Sequence, residues 1–128
     1  MSRQMINPKE IRIGNILQPL DGARQVVGIK EREVMYFGRP FFVSIEVLSP
    51  VKLTEEWLVN LGFEETHRGG RGANYWAPNR FGVHHKLIGD DILDAGFYWG
   101  ELYTKIEYVH DLQNLYFAIT RKELALKH

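Results

Sequence analysis

The chain has 128 residues, of which 45% are hydrophobic and only 5 are proline, which excludes a disordered polymer and fits one self-sufficient core rather than two full domains. Its 16 basic and 16 acidic side chains cancel, which excludes a polybasic or strongly acidic character for the whole chain. With no cysteine, and no apolar run near the roughly 18 residues of a membrane helix, disulfide scaffolds, thiolate chemistry and cysteine-based zinc sites are excluded and no membrane contact is expected.

The first half reads as β. Gly14 to Leu17 predicts a short strand, Pro19 to Gly22 a turn, and Gln25 to Ile29 and Val34 to Phe37 two further strands, the second closed by Gly38-Arg39-Pro40. Phe41 to Leu48 alternates most clearly, with Phe41, Val43, Ile45 and Val47 apolar and Ser44 and Glu46 between them. Short strands joined by tight turns predict a β-meander curling into a small SH3-like barrel.

A helix follows. Thr54 is the expected N-cap, Glu55 and Glu56 occupy the first turn where the helix dipole favours carboxylates, and Leu53 and Leu58 have hydrophobic-staple spacing. Trp57, Leu58 and Leu61 make its apolar face, and Gly62 is the expected left-handed terminator, with Phe63 returning towards Leu58.

A second antiparallel sheet is predicted from strands near Phe63–Thr66, Asn74–Ala77, Phe81–Ile88, Gly96–Trp99 and Leu102–Ile106, with the glycine-rich loop Arg68-Gly69-Gly70-Arg71-Gly72 between the first two. Val109, Leu112, Leu115, Tyr116 and Ile119 recur at helical spacing, which predicts a closing helix over Tyr108–Thr120, packed across that sheet. Thr120 and Glu123 have capping-box spacing and predict a last short turn through Leu126. The expected architecture is therefore α+β. It forms a single compact domain over residues 1–128, with a barrel-like sub-lobe at 1–50 and an α+β sub-lobe at 51–128, and a weak boundary at Ser49-Pro50.

Catalytic signatures are absent. Ser2, Ser44 and Ser49 lie in no nucleophile elbow, and no glycine-rich phosphate-binding motif occurs. His84 and His85 are neighbours on a predicted strand, so they point to opposite faces and do not grip one metal together. His85 shares its face with Phe81, Val83 and Leu87 and reads as a half-buried, hydrogen-bonded histidine. His110 stands beside Asp111 in the first turn of the last helix, where shaping the terminus and doing chemistry are equally open. Asp90, Asp91, Asp94 and Glu101 do not match calcium-loop spacing and read as a solvated acidic loop. No catalytic residue, no metal ligand and no cofactor is assigned.

Local charge is more informative than net charge. Residues 67–86 hold Arg68, Arg71, Arg80 and Lys86 and no acid, with Tyr75, Trp76 and Phe81 interleaved, whereas residues 90–101 hold four acids and no base. Arg68, Arg71, Trp76, Arg80 and Lys86 are thus candidate nucleic-acid-binding residues, on the logic of cationic side chains and stacking faces. That footprint is lost if the acidic stretch lies beside it. Tyr98, Tyr103 and Tyr108 do not all fit one inward face and are candidates for an exposed patch against a protein partner or a second copy of the chain.

Three blocks, Glu10-Ile11-Arg12-Ile13-Gly14-Asn15, Leu53-Thr54-Glu55-Glu56-Trp57-Leu58 with Leu61-Gly62-Phe63, and Tyr108-Val109-His110-Asp111-Leu112-Gln113-Asn114-Leu115-Tyr116-Phe117-Ala118-Ile119-Thr120, resemble a family of small proteins encoded in Bacteroidetes genomes and their phages or mobile elements. Residues 64–107 match it only in being strand-rich. The resemblance implies a bacterial or phage cytoplasmic origin and brings no activity, cofactor or catalytic residue.

The leading expectation is a non-enzymatic accessory protein that binds a macromolecule, first of all another protein. The second is a nucleic-acid-binding module using the 67–86 stretch. The third is a small metal-dependent hydrolase built on His84 or His85 and the Asp90–Asp94 loop.

Overall fold

The computed structural model describes residues 10–18, 23–38, 41–45, 48–69, 72–86, 96–100 and 104–124, with only the backbone for 67–69. The fold is α+β, with two antiparallel five-stranded sheets and two helices among the described residues. The chain divides into two units, residues 1–52 with 108–123 and residues 53–107 with 124–128.

The first unit contains β1 (Ile16–Gln18), β2 (Arg24–Lys30), β3 (Glu33–Tyr36), β4 (Phe42–Ser44) and β5 (Ser49–Pro50), in the order β4-β3-β2-β1-β5. Four strands meander and the fifth returns beside the first, the connectivity expected of a small SH3-like barrel. A register shift between Val26 and Gly28 lets β2 bend, so that it pairs with β1 through one half and with β3 through the other. Pro50 is tolerated because β5 is an edge strand and a missing N–H leaves no ladder bond unmade. Ile11, Leu17, Val26, Val34, Tyr36, Ile45 and Leu48 form the core of this unit, with Val43 against it.

The strand expected over Phe41–Leu48 is shorter. It ends at Ser44, and Leu48 N donates back to Ile45 O at 3.1 Å. Phe41 and Phe42 are exposed and Ile45 is buried, while Glu46 and Val47 lie outside the described residues. The division between units falls after Lys52, since β5 itself consists of Ser49–Pro50.

Helix α2 (Val109–Thr120) belongs to this first unit and contacts β1, a correction to the expectation that it packs across the second sheet. The reason is polar. Gln113 Oε1 accepts from Ile16 N and Gln113 Nε2 donates to Gly14 O, both at 2.8 Å. Asn114 Oδ1 accepts from Arg12 and Asn15 side chains at 2.9 Å, and its Nδ2 donates to Glu10 O at 2.6 Å. The buried stripe is Val109, His110, Leu112, Gln113 and Tyr116, whereas Ile119 is exposed and Leu115 only half-buried. The expected turn after Thr120 is not helical over residues 121–124. Thr120 Oγ1 instead donates to Tyr116 O and accepts from Lys122 N, Arg121 takes a left-handed conformation, and Glu123 pairs with Arg12.

The second unit opens with α1 (Glu55–Asn60), punctuated as its sequence requires. Thr54 Oγ1 accepts from Trp57 N at 3.2 Å, and Gly62, at φ +93°, ends the helix while Phe63 N donates back to Leu58 O at 3.0 Å. Then β6 (Glu64–Gly69), β7 (Gly72–Trp76), β8 (Gly82–Lys86), β9 (Gly96–Trp99) and β10 (Thr104–Ile106) form a simple meander in chain order. Alternation buries Ala73, Tyr75, Val83, Phe97 and Ile106 on one face, and Glu55 of α1 reaches His85 on that face.

Candidate functional site

The opposite face of the second sheet carries the site. Register places Asn74, His84, Tyr98 and Lys105 in one row across β7, β8, β9 and β10. The neighbouring rows hold Trp76 with Gly82, and Gly72 with Lys86 and Gly96. Where β7, β8 and β9 end, Asn74, Trp76, Arg80, Gly82, Val83, His84, Trp99 and Gly100 line an open groove of about 520 Å³.

Each ring in the groove has a structural support. Trp76 lies over Gly82, where the absence of a side chain makes room: a Cβ there would come within 2.6 Å of the indole. Trp99 stacks on Phe81 at 5.8 Å and 13°, and Phe81 meets Phe63 edge-on. His84 Nδ1 is hydrogen-bonded to Asn74 Oδ1. Arg80 closes the turn from β7, its N–H donating to Ala77 O at 2.9 Å, and holds φ +69°, a left-handed conformation that costs a non-glycine residue energy. Among the described residues no carboxylate pairs with Arg80.

Of the five candidate nucleic-acid residues, Trp76 and Arg80 meet in this groove and Lys86 stands two residues beyond His84 on the same face of β8. Arg68 is in register with Ala73, the alternate set of positions. Arg71 lies outside the described residues, as do Asp90, Asp91, Asp94 and Glu101. Trp99 was not singled out by the sequence, because an aromatic at a strand end reads equally well as core.

Comparison of the chain with family models, curated proteins and solved structures gives no match. The residues themselves therefore carry the functional argument.

The remaining candidates are dispersed. His85 is half-buried, stacked on Phe97 at 4.1 Å and 7°, with Nδ1 2.6 Å from Glu55 Oε1, and it points away from His84. Tyr98 lies on the groove face of β9, Tyr108 precedes α2 in the first unit, and Tyr103 lies outside the described residues. In the first unit, Phe37, Phe41 and Phe42 are the exposed aromatics around the β3–β4 turn. No described helix is long and apolar enough to cross a membrane.

Proposed function

We propose that the protein is a binding module for single-stranded nucleic acid, with the β6–β10 sheet as its platform. The observation that carries this reading is the convergence of Trp76 and Trp99 on one groove with Arg80 at its rim. Trp76, 40% exposed, offers a stacking face that accepts any base, a stack worth about 1–3 kcal/mol, and Trp99, itself stacked on Phe81, closes the end of the groove. Arg80, Lys86 and Lys105 supply cations for the phosphates on a face where Glu64, opposite Trp76, is the acid placed by register among the described residues. The Asn74–His84 pair adds hydrogen-bonding edges within the groove.

The protein-partner reading rests on Tyr98, Tyr103 and Tyr108 and gains no comparable support, since Tyr98 and Tyr108 belong to different units. A cytoplasmic accessory role in a bacterium or its phage accompanies the nucleic-acid reading, on the resemblance of the three sequence blocks.

The test is a tryptophan-fluorescence and anisotropy titration of the full chain with 12-nucleotide oligo(dT) and oligo(U) strands. Three phosphate contacts on a single strand predict a slope of roughly −2 in log K against log salt concentration. Trp76→Ala weakens binding by about 5- to 150-fold, the equivalent of one lost stack, and Arg80→Ala flattens the salt slope. Binding that ignores both salt and Trp76, or no binding in low salt, overturns the reading.

A further inference from the structure

Helix α2 buries an imidazole in its first turn. His110 is 2% exposed, and neither ring nitrogen has a hydrogen-bond partner. Burying such a group unpaired opposes folding, so an unsatisfied one asks for an explanation.

Two carboxylates face its Nε2 edge. Glu10 Oε2 and Asp111 Oδ1 each stand 3.6 Å from Nε2. That separation is too long for a hydrogen bond. It is close to the distance between two ligands on one tetrahedral ion, where bonds of about 2.0–2.1 Å set the ligands roughly 3.4 Å apart. The three donor atoms all lie within 4.8 Å of one another.

The cluster is also built, not merely adjacent. Asp111 Oδ2 accepts from Tyr108 N at 3.3 Å, and its Oδ1 is the oxygen nearest the imidazole. The Glu10 backbone is tied to the same helix, because Asn114 Nδ2 donates to Glu10 O. The Tyr108 ring stacks on His110 at 5.9 Å and 12° and shields it. Side-chain exposure rises from 2% at His110 to 38% at Asp111 and 51% at Glu10, so the nitrogen forms the floor and the carboxylates the mouth, where solvent supplies any further ligand.

We infer that Glu10, His110 and Asp111 bind one divalent cation of the zinc class. A neutral imidazole with two carboxylates is a mixed nitrogen and oxygen set, suited to Zn²⁺ ahead of the oxygen-seeking Mg²⁺. The ion would join the segment before β1 to the start of α2 and satisfy Nε2. This inference stands apart from the nucleic-acid reading, which concerns the other unit.

The experiment is calorimetric titration of the chelator-treated full chain with ZnCl₂, with the histidine ring resonances followed by ¹⁵N NMR. One ion per chain is expected, with a shift of the His110 ring. Glu10→Gln and Asp111→Asn are each expected to weaken binding on the order of tenfold or more, and the exposed mouth position of Glu10 keeps the first of these variants folded. Millimolar Mg²⁺ is expected not to displace the zinc. The inference is overturned if no zinc binds, if both variants bind as tightly as the parent chain, or if His110 is doubly protonated at neutral pH and indifferent to zinc. The first two results point to other histidines or none, and the third to an imidazolium held between two carboxylates.

Discussion

Gln113 holds the backbone of Ile16: its Oε1 accepts from the Ile16 N–H at 2.8 Å, and the side chain is 1% exposed. The same amide donates through Nε2 to Gly14 O, so one residue of α2 satisfies a donor and an acceptor at the entry to β1. Replacing it with leucine keeps the bulk, strands the Ile16 N–H and leaves Gly14 O only the long bond from Gln25 Nε2 at 3.4 Å. With about 1–3 kcal/mol for a buried group left unpaired, and less for an acceptor that keeps a long bond, Gln113→Leu is expected to destabilise the protein by roughly 1–4 kcal/mol in urea unfolding. A loss under about 1 kcal/mol would mean that water takes over both bonds.

Two short-range rules govern α1, and each has its own single-residue signature. Thr54→Ala removes the bond to Trp57 N and is expected to cost about 1 kcal/mol. Gly62→Ala meets open space, so its cost comes from the backbone alone: at φ +93° a Cβ is disfavoured by about 1 kcal/mol or somewhat more. Chemical denaturation of both variants checks this. An unchanged midpoint for Gly62→Ala would show that the helix end rearranges.

These local devices could be read from the residues because they act over three or four positions. The Thr54 cap, the Gly62 terminator and the span of β9 needed no knowledge of the rest of the chain. The face of α2 could not be read that way. Apolar periodicity placed Val109, Leu112 and Tyr116 on the buried stripe, but not Gln113 and His110, which take the places expected of Leu115 and Ile119; Gln113 is buried because the segment before β1 presents backbone groups that its amide answers. The same partners, distant in sequence, explain why α2 joins the first unit. The groove was half visible: Trp76 and Arg80 stood out by charge and aromaticity, while Trp99 enters only through its place at the end of β9 and its stack on Phe81.

Gly82 controls the shape of that groove. A methyl group there would press on Cζ3 of Trp76 at 2.6 Å, and an indole at the surface gives way by rotating out. Gly82→Ala is therefore expected to change Trp76 emission and quenching by iodide while lowering overall stability by less than about 1–2 kcal/mol. If the groove binds nucleic acid, this variant weakens binding with no charge removed and the salt slope intact. Identical emission and affinity would show that the ring does not rest over the glycine.

Tyr36 provides a test at alkaline pH. It lies in the core of the first unit, its hydroxyl is buried with no hydrogen-bond partner, and burial pushes its phenol well above the ordinary tyrosine range. The folded chain thus keeps this proton at a pH where the unfolded chain, with a tyrosine near 10, releases it. More protons bound in the folded state means that stability falls as pH rises, so the contribution is full below about pH 10 and declines above it. Tyr36→Phe removes the titration and the unpaired hydroxyl together. It is expected to match or exceed the parent at pH 7, by up to about 1 kcal/mol, and to lose stability less steeply above pH 10. Urea midpoints for both chains between pH 7 and 11.5 decide it: parallel decline would assign the alkaline loss to other groups, and a marked loss at pH 7 would reveal a partner for the hydroxyl.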